Sequence, residues 1–375
     1  MYRKTLPLLL AALPVTAMAD HLSGGFGLQS SAPFWTESAM TLNKGQFAFG
    51  LRTEYSNLRP FSDSKLVDLR KADAAANPEL YEHHHDEGAD EDAHARQADL
   101  HSVNYLLGGS FRMAYGITNN FTVGFRLPYL YRDGLREVET GHEHDEVFRV
   151  HQIYDHGNSE GIGDMSFWGQ YRFFNDSKQA AALLLGFKAP TGETTNTGFK
   201  RQYNYQTGKE TFPAVPEDHS ARLETHLQPG SGSWDGMFGL AYSYDFSVVQ
   251  LNSSLMYTLA TTGSQDTDLG DSFSYNFAAS LPVKSYTPCA KCAWNFVLEA
   301  NGEWRDHEQR GDITIGNSGG HTLYISPGVR LVTGQISNLG SWSIGTSFGY
   351  AVISDVNGDQ SRPDYRVMGA LTLVL

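Results

Sequence analysis

The chain has 375 residues, a formal net charge of −14 at pH 7 and two cysteines. An acidic balance of this size excludes nucleic acid as a partner, because that partner needs a basic face. Two cysteines are too few for a disulfide scaffold, while 19 Tyr, 21 Phe and 38 Gly suit a β protein with an aromatic-rich exterior.

The chain opens MYRKTLPLLLAALPVTAMAD. Arg3 and Lys4 precede an apolar run from Leu6 to Val15, and Ala17-Met18-Ala19 forms a small-residue cleavage site. This pattern predicts a secretory signal peptide over 1–19. The run is far shorter than the roughly 20 apolar residues needed to cross a bilayer. No later stretch offers such a run, so no transmembrane helix is expected.

From Gln46 onward the apolar pattern has period two. In 293–307, Trp294, Phe296, Leu298, Ala300, Gly302 and Trp304 fall on one face, and Asn295, Glu299, Asn301, Glu303 and Arg305 on the other. The same alternation places Phe121, Val123, Phe125, Leu127, Tyr129 and Tyr131 opposite Thr122, Gly124, Arg126 and Arg132. Twelve such segments are predicted, at about 45–56, 102–115, 120–132, 163–174, 179–190, 234–245, 247–259, 271–283, 293–306, 321–332, 341–354 and 363–375. They exceed the usual globular strand of roughly five or six residues and are long enough to cross a membrane at a tilt.

The joints alternate: 118–120, 175–178, 245–247, 284–292 and 333–340 are short, and the intervening ones are mostly long and polar. Short turns on one side, long loops on the other and an even strand count predict an all-β fold, a transmembrane antiparallel barrel of about 12 strands. A sheet in lipid must close on itself, because lipid cannot satisfy an open edge. A soluble β-sandwich would also alternate, but with shorter strands. Residues 20–44 are then expected to form a periplasmic or lumenal segment and 45–375 the barrel. The last strand alternates to its final residue, as in strands read by the barrel-assembly machinery. The expected location is the Gram-negative cell outer membrane, with lipid and lipopolysaccharide as surroundings.

Three stretches carry a family resemblance: GIGDMSFWGQYRF (161–173), LLLGFKAPTGE (183–193) and GSGSWDGMFGLAYSYDF (230–246). They resemble the outer-membrane transporter family named after the meta-pathway of phenol degradation. The resemblance implies a pore for small, often aromatic or hydrophobic compounds. Its glycines and Pro-Thr-Gly serve strand ends and turns.

The loops and lumen supply the chemistry. With the short turns in the periplasm, thirteen of fourteen histidines fall on the external rim. HHHDEGADEDAH (83–94) and GHEHDE (141–146) offer His83, His84, His85, His94, His142 and His144 as candidate ligands for Zn²⁺, Cu²⁺ or another divalent cation. The alternative is a solvated polar loop, or weak binding that includes cations bridging to lipopolysaccharide. No cofactor is required. Arg52, Arg112, Arg126, Arg172, Lys188, Arg305, Arg330 and Arg366 share the inward parity with Glu54, Glu299 and Glu303. They either line a pore that favours anions or form ladders that rigidify a filled lumen.

Cys289 and Cys292 lie in a short turn with no helix to activate a thiol, so a local disulfide is favoured over a redox pair. An enzyme of the outer-membrane phospholipase type is not expected: its His-x-Ser-Asn-Gly stretch is absent, and DHGNSEG (155–161) has related letters in another order. The expected function is a channel or transporter for a small solute with cation-binding external loops. The alternative is a metal-capturing or surface-interaction barrel with a plugged lumen.

Overall fold

The structure, a computed structural model, describes residues 33–77, 100–138, 152–198, 200–212, 222–284, 287–336 and 339–375. The signal-peptide residues and all six candidate loop histidines lie outside these.

Twelve long strands follow the chain: β1 (Phe47–Arg59), β2 (Tyr105–Thr118), β3 (Phe121–Val138), β4 (Met165–Asn175), β5 (Gln179–Ala189) and β6 (Asp235–Asp245) form the first half. The second half is β7 (Gln250–Leu259), β8 (Ser272–Val283), β9 (Cys292–Arg305), β10 (Gly320–Thr333), β11 (Ser341–Val356) and β12 (Arg362–Val374). Each pairs antiparallel with its sequence neighbour. β12 returns to β1 in continuous register from Ala48↔Val374 to Asn57↔Tyr365, so the sheet is a closed barrel with no edge. Among the described residues no helix is long and apolar enough to cross a membrane. The crossing is made by strands.

The usual burial pattern is reversed. Outward residues are apolar and exposed: Leu51 55%, Phe296 50%, Leu298 55% and Ile344 60%. Their inward neighbours are polar and buried, with Ser326 at 0% and Glu299 at 1%. Such an exterior is stable only against hydrocarbon. The protein is therefore an outer-membrane β-barrel.

Residues 33–46 do not leave the barrel. They enter the lumen, descend along its wall and reach the periplasmic rim, where Gly45 N donates to Gly116 O at 2.8 Å and Gly116 N to Gln46 O at 2.9 Å. The approach is so close that a Cβ on Gly116 would lie 2.1 Å from Asn43 O and 3.0 Å from Leu42 O.

The external side is more ordered than its polar sequence suggests. β3 continues to Val138, and residues Gln152–Ile162 return as a strand paired with its outer half. Arg201–Asn204 adds to that excursion. A helix, α1 (Asp63–Ala76), is capped by Ser62, whose side chain accepts from Lys65 N at 3.3 Å. It buries Leu66 and Val67 against Val138 and Ile153. These elements escape a period-two reading because the helix hides in a loop of mixed polarity and the excursion carries few apolar residues. At the periplasmic side, Cys289 and Cys292 are joined by a disulfide across the turn into β9.

Gly116→Val should push the backbone at Leu42 and Asn43 aside. Overpacking of this kind costs on the order of 1–3 kcal/mol. Heat-modifiable migration should then convert to the unfolded band at a temperature several degrees below wild type, whereas Gly316→Val, with open space around it and no positive φ to strain, should shift it much less.

Candidate functional site

The site is the lumen, and its floor is the N-terminal segment. Glu299 of β9 gathers that segment: Phe34 N donates to Oε1 at 2.6 Å, and Trp35 N and Thr36 N donate to Oε2 at 3.0 and 2.9 Å. The Thr36 hydroxyl adds a fourth bond at 2.8 Å. A buried carboxylate is costly unless its lone pairs are filled; here the chain entering the barrel fills them. Further along, Glu37 N donates to Ser254 Oγ, Ala39 N to Ser243 Oγ and Leu42 N to Thr122 Oγ1. Gln170 Nε2 reaches back to Ser38 O at 2.7 Å. Inward side chains of five strands thus hold one peptide.

Phe34 and Trp35 sit among arginines. The Arg330 guanidinium lies 4.5 Å from the Phe34 ring centre, and Arg366 and Arg52 lie 3.9 and 5.6 Å from that of Trp35. Arg52 also donates to Glu54 at 2.9 Å, and Arg366 to Asn301 at 3.1 Å. A desolvated cation over an aromatic face contributes about 2 kcal/mol. Arg52, Arg330 and Arg366 therefore grip the segment.

The three resemblance-bearing stretches converge at the outer end. Lys188 Nζ lies 3.1 Å from Asp164 Oδ2 and 2.8 Å from Asp235 Oδ2. Asp164 also accepts from Gly192 N at 2.9 Å and from Ser231 N and Oγ at 2.8 Å each. Burial alone would push the Asp164 pKa up and is the largest single influence. Lys188 and the bonds from Ser231 and Gly192 together outweigh it, and the carboxyl is held below its usual range. This knot draws residues 222–233 inward as a roof. Leu223 and Leu227 pack on Leu58, Val103, Leu106 and Leu135, and Arg132 donates to Leu227 O and Gln228 O at 3.3 and 3.1 Å.

Between floor and roof lies a cavity of about 200 Å³ lined by Arg52, Arg112, Arg126, Arg132, Lys188 and Arg305 against Glu54, Asp164, Asp235 and Glu303. Arg52 pairs with Glu54, Lys188 with both aspartates, and Arg305 with Glu303 at 3.1 Å. Arg112 and Arg126 are direct cross-strand neighbours, and among the described residues neither is in an ion pair. Of the other inward-parity residues, Arg172 lies at the periplasmic rim, bonded to Asn119 O at 2.8 Å. In DHGNSEG, His156 Nδ1 lies 2.6 Å from Gly198 O and Ser159 donates to Leu227 O at 2.7 Å; the two do not form a nucleophile–base pair. The sequence reading missed Phe34, Trp35, Asp164, Ser231 and Asp235; the aromatic pair in the otherwise polar segment 29–38 was the available signal.

A closed barrel with a lipid-facing exterior and an internally held segment defines the class: a twelve-stranded outer-membrane barrel. Within that class, residues 220–348 match the family described as "Putative MetA-pathway of phenol degradation", so the resemblance read from the sequence holds. No curated protein matches the chain. Among solved structures, an outer membrane channel from Pseudomonas putida F1 is similar at 12% identity and a TM-score of 0.48, covering 90% of this chain and 98% of that one. The Ralstonia pickettii toluene transporter TbuX gives 9% and 0.36, covering 89% and 90%. The outer membrane protease OmpT of Escherichia coli gives 9% and 0.31, covering 90% and 99%. These likenesses are too distant to carry an argument about function.

Glu299→Ala removes the acceptor for four bonds to the segment. Hydrogen bonds to a charged group are worth roughly 1.5–3 kcal/mol each, so the Phe34–Thr36 end of the segment should loosen from the wall while Leu42 and Gly45 stay bonded and the barrel ladder persists. Planar-bilayer recordings should then show a severalfold rise in single-channel conductance; an unchanged conductance would mean that the segment does not limit passage.

Proposed function

We propose that the protein is an outer-membrane channel, not an enzyme, and that it admits a small anionic solute, with aromatic carboxylates as the first class to test. The observation that carries this reading is the Arg112–Arg126 pair. Like charges directly opposite on neighbouring strands are destabilising, and desolvating them adds to the cost. An anion in the cavity would relieve both. The volume supports a small solute, since sites for drug-sized ligands span about 300–1,000 Å³. The aromatic part of the reading rests on the matched family's description.

A second reading, a plugged barrel that captures metal or serves surface contacts, is favoured by the covering of the lumen from both ends. The loops bearing His83, His84, His85, His94, His142 and His144 are proposed to bind Zn²⁺, Cu²⁺ or another divalent cation weakly in either case. Lipopolysaccharide and the barrel-assembly machinery remain proposed partners.

Reconstituted protein lacking residues 33–42 should be anion-selective by reversal potential, and Arg126→Glu should reduce or reverse that preference. Absence of conductance in this correctly folded variant would favour the plugged reading. For the loops, the weak fraction of Zn²⁺ binding should fall as pH drops through about 6.5, where imidazole protonates. Carboxylate binding would instead persist to about pH 5. Replacing the six histidines with Ala should remove the weak fraction in titration calorimetry.

A further inference from the structure

Side chains from three external segments meet in the roof. His101 comes from a two-residue strand paired with the outer end of β3, and Glu224 and His226 belong to the inward-folded segment. One ligand atom from each lies within 4.8 Å of the others. The imidazole centres are 4.7 Å apart, and both rings are buried. Behind them stands Glu308, from the loop between β9 and β10, whose Oε2 is 3.3 Å from His226 Nδ1. His226 Nε2 lies on the other side, 3.8 Å from Glu224 Oε2.

We propose that His101, Glu224 and His226 form a binding site for one divalent transition-metal ion of the Zn²⁺ class. Two imidazoles and one carboxylate are a complete zinc donor set with a fourth position left for water. Glu308 is placed for the supporting part: from 3.3 Å a small rotation would let its carboxylate accept Nδ1–H, which would fix the tautomer and turn the Nε2 lone pair to the ion. Arg310 lies 2.9 Å from Glu224 Oε1 and 3.6 Å from Glu308 Oε1, so one oxygen of each carboxylate faces the guanidinium and the other faces a histidine. Two carboxylates against one guanidinium leave an excess negative charge for a cation. Bonds of about 2.0–2.1 Å place tetrahedral ligand atoms roughly 3.4 Å apart; side-chain rotation by about an ångström closes the set. The alternative is a cluster in which protonated histidines bridge the carboxylates. The site is independent of the loop histidines and of the transported solute.

The test uses full-length folded protein carrying the six loop His→Ala substitutions, titrated with Zn²⁺ alone by calorimetry. One ion per chain should remain bound. His101→Ala or His226→Ala in that background should weaken it on the order of 100-fold or more, and Glu308→Gln, which keeps all three ligands, by about 10–100-fold. Glu224→Gln, which preserves size, covers the case in which a histidine variant fails to fold, and heat-modifiable migration checks each variant. Loss of all binding in the six-fold variant, or unchanged affinity in the folded His226→Ala and Glu224→Gln proteins, would overturn the site.

Discussion

Everything in this molecule follows from closing a ladder of backbone hydrogen bonds in a medium that offers no substitute partners. The pairing of β1 with β12, from Ala48↔Val374 to Asn57↔Tyr365, removes the last edge. Closure fixes which side chains face lipid and which face the interior. With a side-chain period of two, residues such as Leu298 and Glu299 are committed to opposite solvents. The interior then holds more charge than water alone could serve in so narrow a space. Buried polar groups must find partners, and they do so by holding the protein's own chain.

That need unites features otherwise scattered along the sequence. Glu299 fills its acceptors with the amides of Phe34, Trp35 and Thr36, and the arginines around it meet aromatic faces. At the other end, Lys188 between Asp164 and Asp235 fastens the folded-in roof. Floor and roof are held by the same kind of contact, a buried charge whose partners are supplied by a segment that could have lain outside. The inner charges that this arrangement leaves over, Arg112 and Arg126, face the space between.

The barrel was legible because its signal is local and repeated. Period two places all twelve strands to within a few residues, and parity alone assigns Glu299, Asn301 and Arg366 to the lumen. The helix at 63–76 was not legible: its apolar positions are sparse, and its stability comes from Val138 and Ile153, which are remote in sequence. The motif residues Asp164, Lys188 and Asp235 could be read as strand-end residues, but their meeting depends on the curvature of a closed sheet. Phe34 and Glu299 lie 265 residues apart, and no local pattern announces such a contact. The same holds for His101 against Glu224 and His226, which come from two separate loops and carry none of the fixed spacing that makes a metal motif visible.

The position of residues 33–46 constrains the order of assembly. The segment immediately precedes β1, and β1 forms the closing seam with β12, far along the chain, pairing Ala48 with Val374. Amides of Phe47 and Leu375 bond to each other's carbonyls at the foot of that seam. The ring therefore cannot shut until β12 reaches β1, and contacts of such long sequence separation form slowly. A finished barrel would have to be threaded from one end against its own filled interior. The simpler route is that the sheet curls around the segment while the seam is open, as a mould closes on an insert. Glu299 and the arginines then serve folding as well as the mature interior, giving the curling sheet a template that is covalently guaranteed to be present.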